Sequence, residues 1–194
     1  MQELEYVKSK VRDILDFPKK GIVFKDLTTA FKDPEALCVM GRELSEIYKD
    51  KGVTKVVGIE SRGFIVGSIM AYELGAGFVP IRKPGKLPAE TIKATYDKEY
   101  GTDTIEIHSD AITPDDVVVI HDDVLATGGT MVAAYNLVKS MNPRAIYISF
   151  ISEISVLGGR SVMPAGVEVT SLIEFLTSDF RQQKSRRRWL RRAT

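Results

Sequence analysis

The chain has 194 residues, 44% of them hydrophobic, and its 27 basic and 26 acidic side chains leave a formal charge of +1. That length suits one domain with a core of its own, and a lone cysteine, Cys38, excludes an intrachain disulfide and a cysteine-built zinc site. No apolar run approaches the length of a membrane span and the charged N-terminus lacks a signal-peptide core, so a reducing, cytoplasmic setting is expected. The charge is unevenly placed: "RQQKSRRRWLRRAT", from Arg181 to Thr194, holds seven Lys or Arg and no acid. The preceding body is therefore acidic, which argues against a broad nucleic-acid surface outside that tail.

In chain order, Leu4, Val7, Val11, Ile14 and Leu15 share a helical face and predict a helix over 3–14. "FPKKGIVFKDLTTAFKDP" reads as a loop region with one short extended piece. Pro34 opens a second helix that runs to about Asp50. "KVVGIE" predicts a buried strand at 55–60, "SRG" a turn, "FIVGSIMAYELG" a helix, and "GFVPIRK" a strand at 77–83. From Leu87 to Asp110 polar and apolar residues alternate on both sides of "DKEYGTD", which predicts two extended arms with a mobile tip. A strand at 117–121, a helix at 129–141, a strand at 145–151, a short helix near 155–161 and a strand at 167–173 follow. Strands alternating with helices predict an α/β fold with a mostly parallel central sheet and flanking helices. Right-handed crossovers then place the strand C-ends on one edge, where ligands of open α/β sheets bind.

Three stretches at predicted strand C-ends carry chemistry. In "VVVIHDDVLATGGTM", from Val117 to Met131, Gly128 and Gly129 permit a tight turn. The turn amides and the next helix N-terminus form an anion nest, to which Thr127 and Thr130 add hydroxyls. Ala126 to Thr130 can thus hold a phosphate. Asp122 and Asp123 would repel one, so they suit vicinal sugar hydroxyls, and a ribose 5-phosphate satisfies both halves. The plainer alternative is a capped turn with its acids in water. In "GIESRGF", Ser61 and Arg62 can bind an anion; the alternative there is an Arg62–Glu60 pair. In "IRKPGKLP", Arg82, Lys83 and Lys86 concentrate cations on a loop shaped by Pro84, Gly85 and Pro88. That suits a pyrophosphate, against the alternative of a solvated basic loop.

These stretches, with "GIVFKDLTTAFKDP" and "YDKEYGTDTIEIHSDAI", resemble the type I phosphoribosyltransferases, and among them the adenine phosphoribosyltransferases, in order and spacing from Phe17 to Phe175. The resemblance implies one domain over 1–178, with a small N-terminal hood at about 15–34 and a flexible catalytic β-arm loop at about 87–110. Residues 179–194 stay apart from it as a basic tail, expected to be disordered, with a nucleic-acid arm as the alternative. It implies transfer of ribose 5-phosphate from phosphoribosyl pyrophosphate to N9 of adenine, giving AMP and pyrophosphate. Ala126, Thr127, Gly128, Gly129 and Thr130 would cradle the 5-phosphate, and Asp122 and Asp123 would hold the ribose. Ser61, Arg62, Arg82, Lys83 and Lys86 would surround the pyrophosphate. Val23, Phe24, Lys25 and Val124 would contact adenine, and Glu99 and Tyr100, with Arg62, would serve catalysis. Magnesium would arrive with the substrate rather than at a protein metal site, and a homodimer is expected.

Departures from the family pattern are Lys25 for a usual Arg, Val124 for a usual Leu, and His121 for an aliphatic. His121 reads as core, surface or ligand-touching, and His108 as a solvated strand end. Two competing readings stand beside this one: transfer to another purine base, and a purine- or phosphoribosyl-pyrophosphate-sensing regulator on the same fold.

Overall fold

A computed structural model describes residues 2–17, 19–20, 22–97 and 101–176. The predicted catalytic residues Glu99 and Tyr100, and the basic tail, lie outside them. Helix α1 (Gln2–Lys10) leads into strand β1 (Arg12–Leu15), which pairs antiparallel with β2 (Val23–Asp26). The short α2 (Thr28–Phe31) and the long α3 (Pro34–Tyr48) follow. Then come β3 (Lys55–Ile59), α4 (Gly63–Glu73), β4 (Gly77–Ile81), the hairpin β5 (Thr91–Asp97) and β6 (Thr102–His108), β7 (Val117–Leu125), α5 (Gly129–Ser140), β8 (Ala145–Ile154), two 3-10 turns at Ser155–Leu157 and Gly159–Val162, and β9 (Val169–Phe175).

The central sheet has the order β4-β3-β7-β8-β9, and every neighbouring pair in it is parallel. Its strands are apolar on both faces because both are covered. One face packs on α3 and α4 through Val39, Met40, Leu44, Val66 and Met70, and the other on α5 and the hairpin through Ile105, Ile107, Ala134 and Leu137. Asp33 caps α3, its carboxylate accepting the Ala36 amide at 3.0 Å ahead of Pro34 at the first helical position. At the far end of α3 the buried Tyr48 hydroxyl donates to the Ile148 carbonyl at 3.2 Å, tying helix to sheet.

Several expectations need correction. The predicted helix over 3–14 stops at Lys10. The chain turns extended there because Ile14 finds a cross-strand partner in Phe24 and Arg12 sits opposite Asp26, to which it is ion-paired at 2.5 Å. The predicted strand at 77–83 ends at Ile81. The predicted strands at 117–121 and 145–151 run on together to Leu125 and Ile154, since each supplies the other's ladder. The helix expected near 155–161 is two separate 3-10 turns. His108 does end a strand, but its Nε2 is buried rather than solvated.

Candidate active site

The register of the sheet creates the site. Strand β3 pairs with β7 only as far as Gly58 opposite His121, whereas β7 and β8 stay paired to Leu125 opposite Glu153. Asp122 and Asp123 therefore lie in the projecting part of β7, beside the notch left where β3 has ended. Helix α4 starts in that notch, and Gly63 lets it come close: a Cβ there would stand 2.8 Å from the His121 carbonyl and 3.3 Å from the Asp122 Cα. A cavity of about 330 Å³ opens here, lined by Ile59, Glu60, Ser61, Arg62, Lys83, Tyr96, Ile105, Asp122, Asp123 and Thr130. Six of the residues expected from the sequence thus converge on it.

Charge in the cavity is arranged in pairs. Arg62 Nε donates to Asp123, which is almost wholly buried, while the Arg62 guanidinium lies 5.6 Å from the Phe24 ring centroid. Arg62 does not pair with Glu60, the alternative that the sequence left open. Glu60 instead takes Arg82 Nε at 3.2 Å and the Lys83 amide at 2.8 Å. Those donors outweigh the upward push of burial and hold the Glu60 carboxyl below its ordinary range. Lys83 Nζ pairs with Asp103 on β6. Asp122 goes the other way. Burial first and the Asp123 charge second raise its pKa well above an ordinary aspartate, against the opposing pull of Arg62.

The turn beyond β7 carries the residues expected to form the anion nest. Gly128 has φ +86°, in the left-handed region, and a Cβ there would lie 2.9 Å from the Gly159 carbonyl oxygen. Gly159 is pressed just as closely, with its own Cβ position 2.2 Å from the Ala126 carbonyl oxygen. The second 3-10 turn therefore braces Ala126, Thr127 and Gly128 from behind. The glycine pair Gly128 and Gly129 opens α5, and Thr130 follows in its first turn. Arg160 secures that brace through Nε bonds of 3.1 and 2.9 Å to the buried Glu153 carboxylate and an Nη1 bond of 3.0 Å to the Val169 carbonyl.

Other expected residues stand apart from the cavity lining. Lys86 is exposed on its loop, with its carbonyl accepting Arg82 Nη1 at 3.3 Å. Val124 packs against the α3–α4 core. Phe24 meets Phe17 edge-on at 5.3 Å and faces Arg62, while its neighbour Val23 is partly buried. The Lys25 side chain is buried and turned elsewhere, to Asp13 at 2.7 Å and over the Phe175 ring at 4.4 Å. His121 is fully buried, with Nδ1 3.2 Å from the Ser149 hydroxyl and Nε2 unpartnered; burial lowers its pKa to about 3.

Sequence reasoning missed Tyr96, whose hydroxyl accepts from Thr130 Oγ1 at 3.0 Å and donates to Asp103 at 3.3 Å. The alternation of the arm, with Ile92, Ala94 and Tyr96 on one face, was the available signal; these three pack against the β-sheet core on the α5 side. Of the three, Tyr96 reaches the cavity lining.

Comparison with known proteins agrees in family and fold. The family model for a phosphoribosyl transferase domain matches residues 28–158. An adenine phosphoribosyltransferase of Bacteroides thetaiotaomicron is 58% identical over 173 residues, covering 89% of this chain and 98% of that protein. The crystal structure of adenine phosphoribosyltransferase from Rhodothermus marinus superposes with a TM-score of 0.84 at 48% identity, covering 90% of this chain and 99% of that one. The enzyme of Giardia lamblia, solved with 9-deazaadenine, superposes with a TM-score of 0.84 at 45% identity, over 89% of this chain and 97% of that one.

Proposed function

We propose a function from one premise: this chain belongs to the phosphoribosyltransferase family, among the adenine phosphoribosyltransferases. It transfers ribose 5-phosphate from phosphoribosyl pyrophosphate to N9 of adenine, yielding AMP and pyrophosphate, a purine-salvage reaction. The observation that carries the reading is the pairing of two unlike ends on one strand. The carboxylates Asp122 and Asp123 on β7 suit hydroxyl donors, and the left-handed Gly128 turn beyond them suits a phosphate. A sugar phosphate presents those two chemistries in one molecule.

In this reading Asp122 and Asp123 hold the ribose 2- and 3-hydroxyls, and Ala126, Thr127, Gly128, Gly129 and Thr130 cradle the 5-phosphate. Ser61, Arg62, Arg82, Lys83 and Lys86 receive the pyrophosphate, whose charge grows as the bond at the anomeric carbon lengthens and the sugar becomes oxocarbenium-like. Val23, Phe24 and Val124 face the base. The Lys25 side chain is committed to Asp13 and Phe175, which leaves its backbone for that task. Tyr96 and Ile105 on the arm keep water from the reacting sugar. Glu99 and Tyr100 would complete the site from the tip of the arm.

Magnesium enters with phosphoribosyl pyrophosphate as part of the substrate, where it neutralises pyrophosphate charge. A hard cation that keeps its water and its phosphate oxygens needs no protein cage of carboxylates and imidazoles. A homodimer is supported by α4, whose outer side exposes Ile65 (38%) and Tyr72 (85%) beside Ser68. An apolar face that starts beside Arg62 fits burial against a second copy close to the site. Among the described residues no helix is long and apolar enough to cross a membrane.

The test is to incubate the protein with phosphoribosyl pyrophosphate, magnesium and each purine base in turn. AMP from adenine alone is the expected result. IMP or XMP as the main product would move the assignment to another base. No nucleotide from any base, with phosphoribosyl pyrophosphate still bound, would replace the enzyme with the sensor.

A further inference from the structure

We propose that Glu106 is a positioning residue for the leaving group, its buried carboxylate fixing the loop that carries Arg82, Lys83 and Lys86. The inference rests on the assignment of that loop to the pyrophosphate. Glu106 lies on β6, in the arm itself, and is only 1% exposed. Burying a carboxylate is costly unless it is paired and hydrogen-bonded. Here Oε1 accepts the Gly85 amide at 2.9 Å, and Oε2 takes Lys93 Nζ and the Thr91 hydroxyl at 3.2 and 3.3 Å. The same residue also holds the loop by its backbone: Arg82 and Glu106 exchange both amide bonds, at 2.9 and 2.8 Å.

The two grips act on different parts of the loop. The backbone bridge fixes Arg82 at the end of β4. The carboxylate fixes Gly85, three residues on, at φ +77°. Between them sits Lys83, and just beyond sits Lys86, whose amide closes back on the Lys83 carbonyl at 3.3 Å. Without the carboxylate, the Pro84–Gly85–Lys86 turn keeps no hydrogen bond to the arm among the described residues, and Lys86 loses its fixed aim. Catalytic cations act through preorganisation, so a loose loop weakens binding of the leaving group more than binding of the base. Lys93, the Gly85 amide and Thr91 together overcome burial and hold the Glu106 carboxyl below its ordinary range, so the acceptor stays ionised at neutral pH.

Two variants separate geometry from charge. Glu106→Gln removes the charge and keeps an oxygen in reach of the Gly85 amide. Glu106→Asp keeps the charge and withdraws the acceptor by one methylene. Each is compared with the wild type in the kinetics of AMP formation and, independently of turnover, by calorimetric titration with inorganic pyrophosphate and magnesium. The expected outcome is that Glu106→Asp raises both the KM for phosphoribosyl pyrophosphate and the Kd for pyrophosphate by roughly three- to tenfold, the worth of one hydrogen bond, with the KM for adenine unmoved. Glu106→Gln should recover to within about twofold of the wild type. The proposal is overturned if neither variant weakens pyrophosphate, if adenine and pyrophosphate weaken alike, or if Gln is as poor as Asp. A wild type that binds pyrophosphate tightly but makes no AMP would sink the enzymatic reading and leave the brace standing; one that binds no pyrophosphate overturns the brace itself.

Discussion

Replacing Gly128 with alanine tests the phosphate turn directly. The residue sits at φ +86°, where an L side chain costs about 1–2 kcal/mol. Its Cβ would fall 2.6 Å from Val162 Cγ2, 2.7 Å from Met163 Cε and 2.9 Å from the Gly159 carbonyl oxygen. The two side chains can yield, since Val162 is 50% exposed. The carbonyl cannot, because Gly159 is itself wedged against the Ala126 carbonyl. Overpacking of that kind costs about 1–3 kcal/mol. The reduced freedom of the unfolded chain returns roughly 0.4–1 kcal/mol. The strain wins, leaving a net loss of about 3 kcal/mol, which for a domain of this size lowers Tm by roughly 6–12 °C. Because the clash is relieved by pushing the nest away from the second 3-10 turn, phosphoribosyl pyrophosphate should also lose affinity. Thermal melts with and without phosphoribosyl pyrophosphate and magnesium measure both effects. A variant that melts within about 2 °C of the wild type and gains as much from the ligand would refute the reasoning.

Three further outcomes follow from individual side chains. His121→Leu should flatten the acid limb of stability: the buried imidazole, with a pKa of about 3, binds no proton that the unfolded chain takes up below about 6.5. Its stabilising contribution is thus present above pH 6.5 and lost as pH falls, by about 2 kcal/mol at pH 5, so urea titrations of wild type and variant at pH 7 and 5 should converge or cross. Asp122→Asn should stabilise the ligand-free protein at pH 7 while abolishing phosphoribosyl transfer; a raised carboxyl pKa costs stability above the unfolded value, so the gain should shrink as pH falls toward about 4, and a destabilised variant at pH 7 would contradict the assignment. Tyr96→Phe removes the hydroxyl that holds Thr130 and Asp103, and should speed limited proteolysis of the β5–β6 arm; an unchanged cleavage rate would show that apolar packing alone holds the arm.

What the sequence made legible was local. The alternation of buried strands with helices is written in stretches such as "VVVI", whose four residues are all buried, and the parallel sheet follows from it. The extent of β7 was not legible. Two acids after an apolar run look like its end, yet the ladder to β8 carries the strand through them, and that partner lies more than twenty residues away in the chain. The break of the first helix at Lys10 has the same cause, since the pattern Val11–Ile14–Leu15 suits a helix until β2 offers a cross-strand partner. At the site, the sequence identified the charged groups but not their pairing. Nothing in "GIESRGF" says that Arg62 reaches Asp123 across the notch while Glu60 turns back to Arg82.

That pairing has a consequence for how the site would take its substrate. Arg62, Arg82 and Lys83 each hold a carboxylate, on Asp123, Glu60 and Asp103 respectively. A cation beside a nearly buried acid cannot simply be withdrawn, because the acid left behind would be uncompensated. An arriving pyrophosphate must therefore exchange with carboxylates rather than fill an empty positive field, and its affinity is the difference between two sets of charge-assisted bonds. Asp103 is the partner best placed for that exchange. It sits on the arm rather than on the sheet, so releasing Lys83 to the substrate also releases the arm from that side. Asp123 is the least able to leave: its backbone carbonyl accepts Ser152 and its strand is locked on β8, so Arg62 must be the group that turns. On the proposed reading, the sheet-borne acids would stay as the ribose seat, while Arg62, the cation loop and the arm would do the moving.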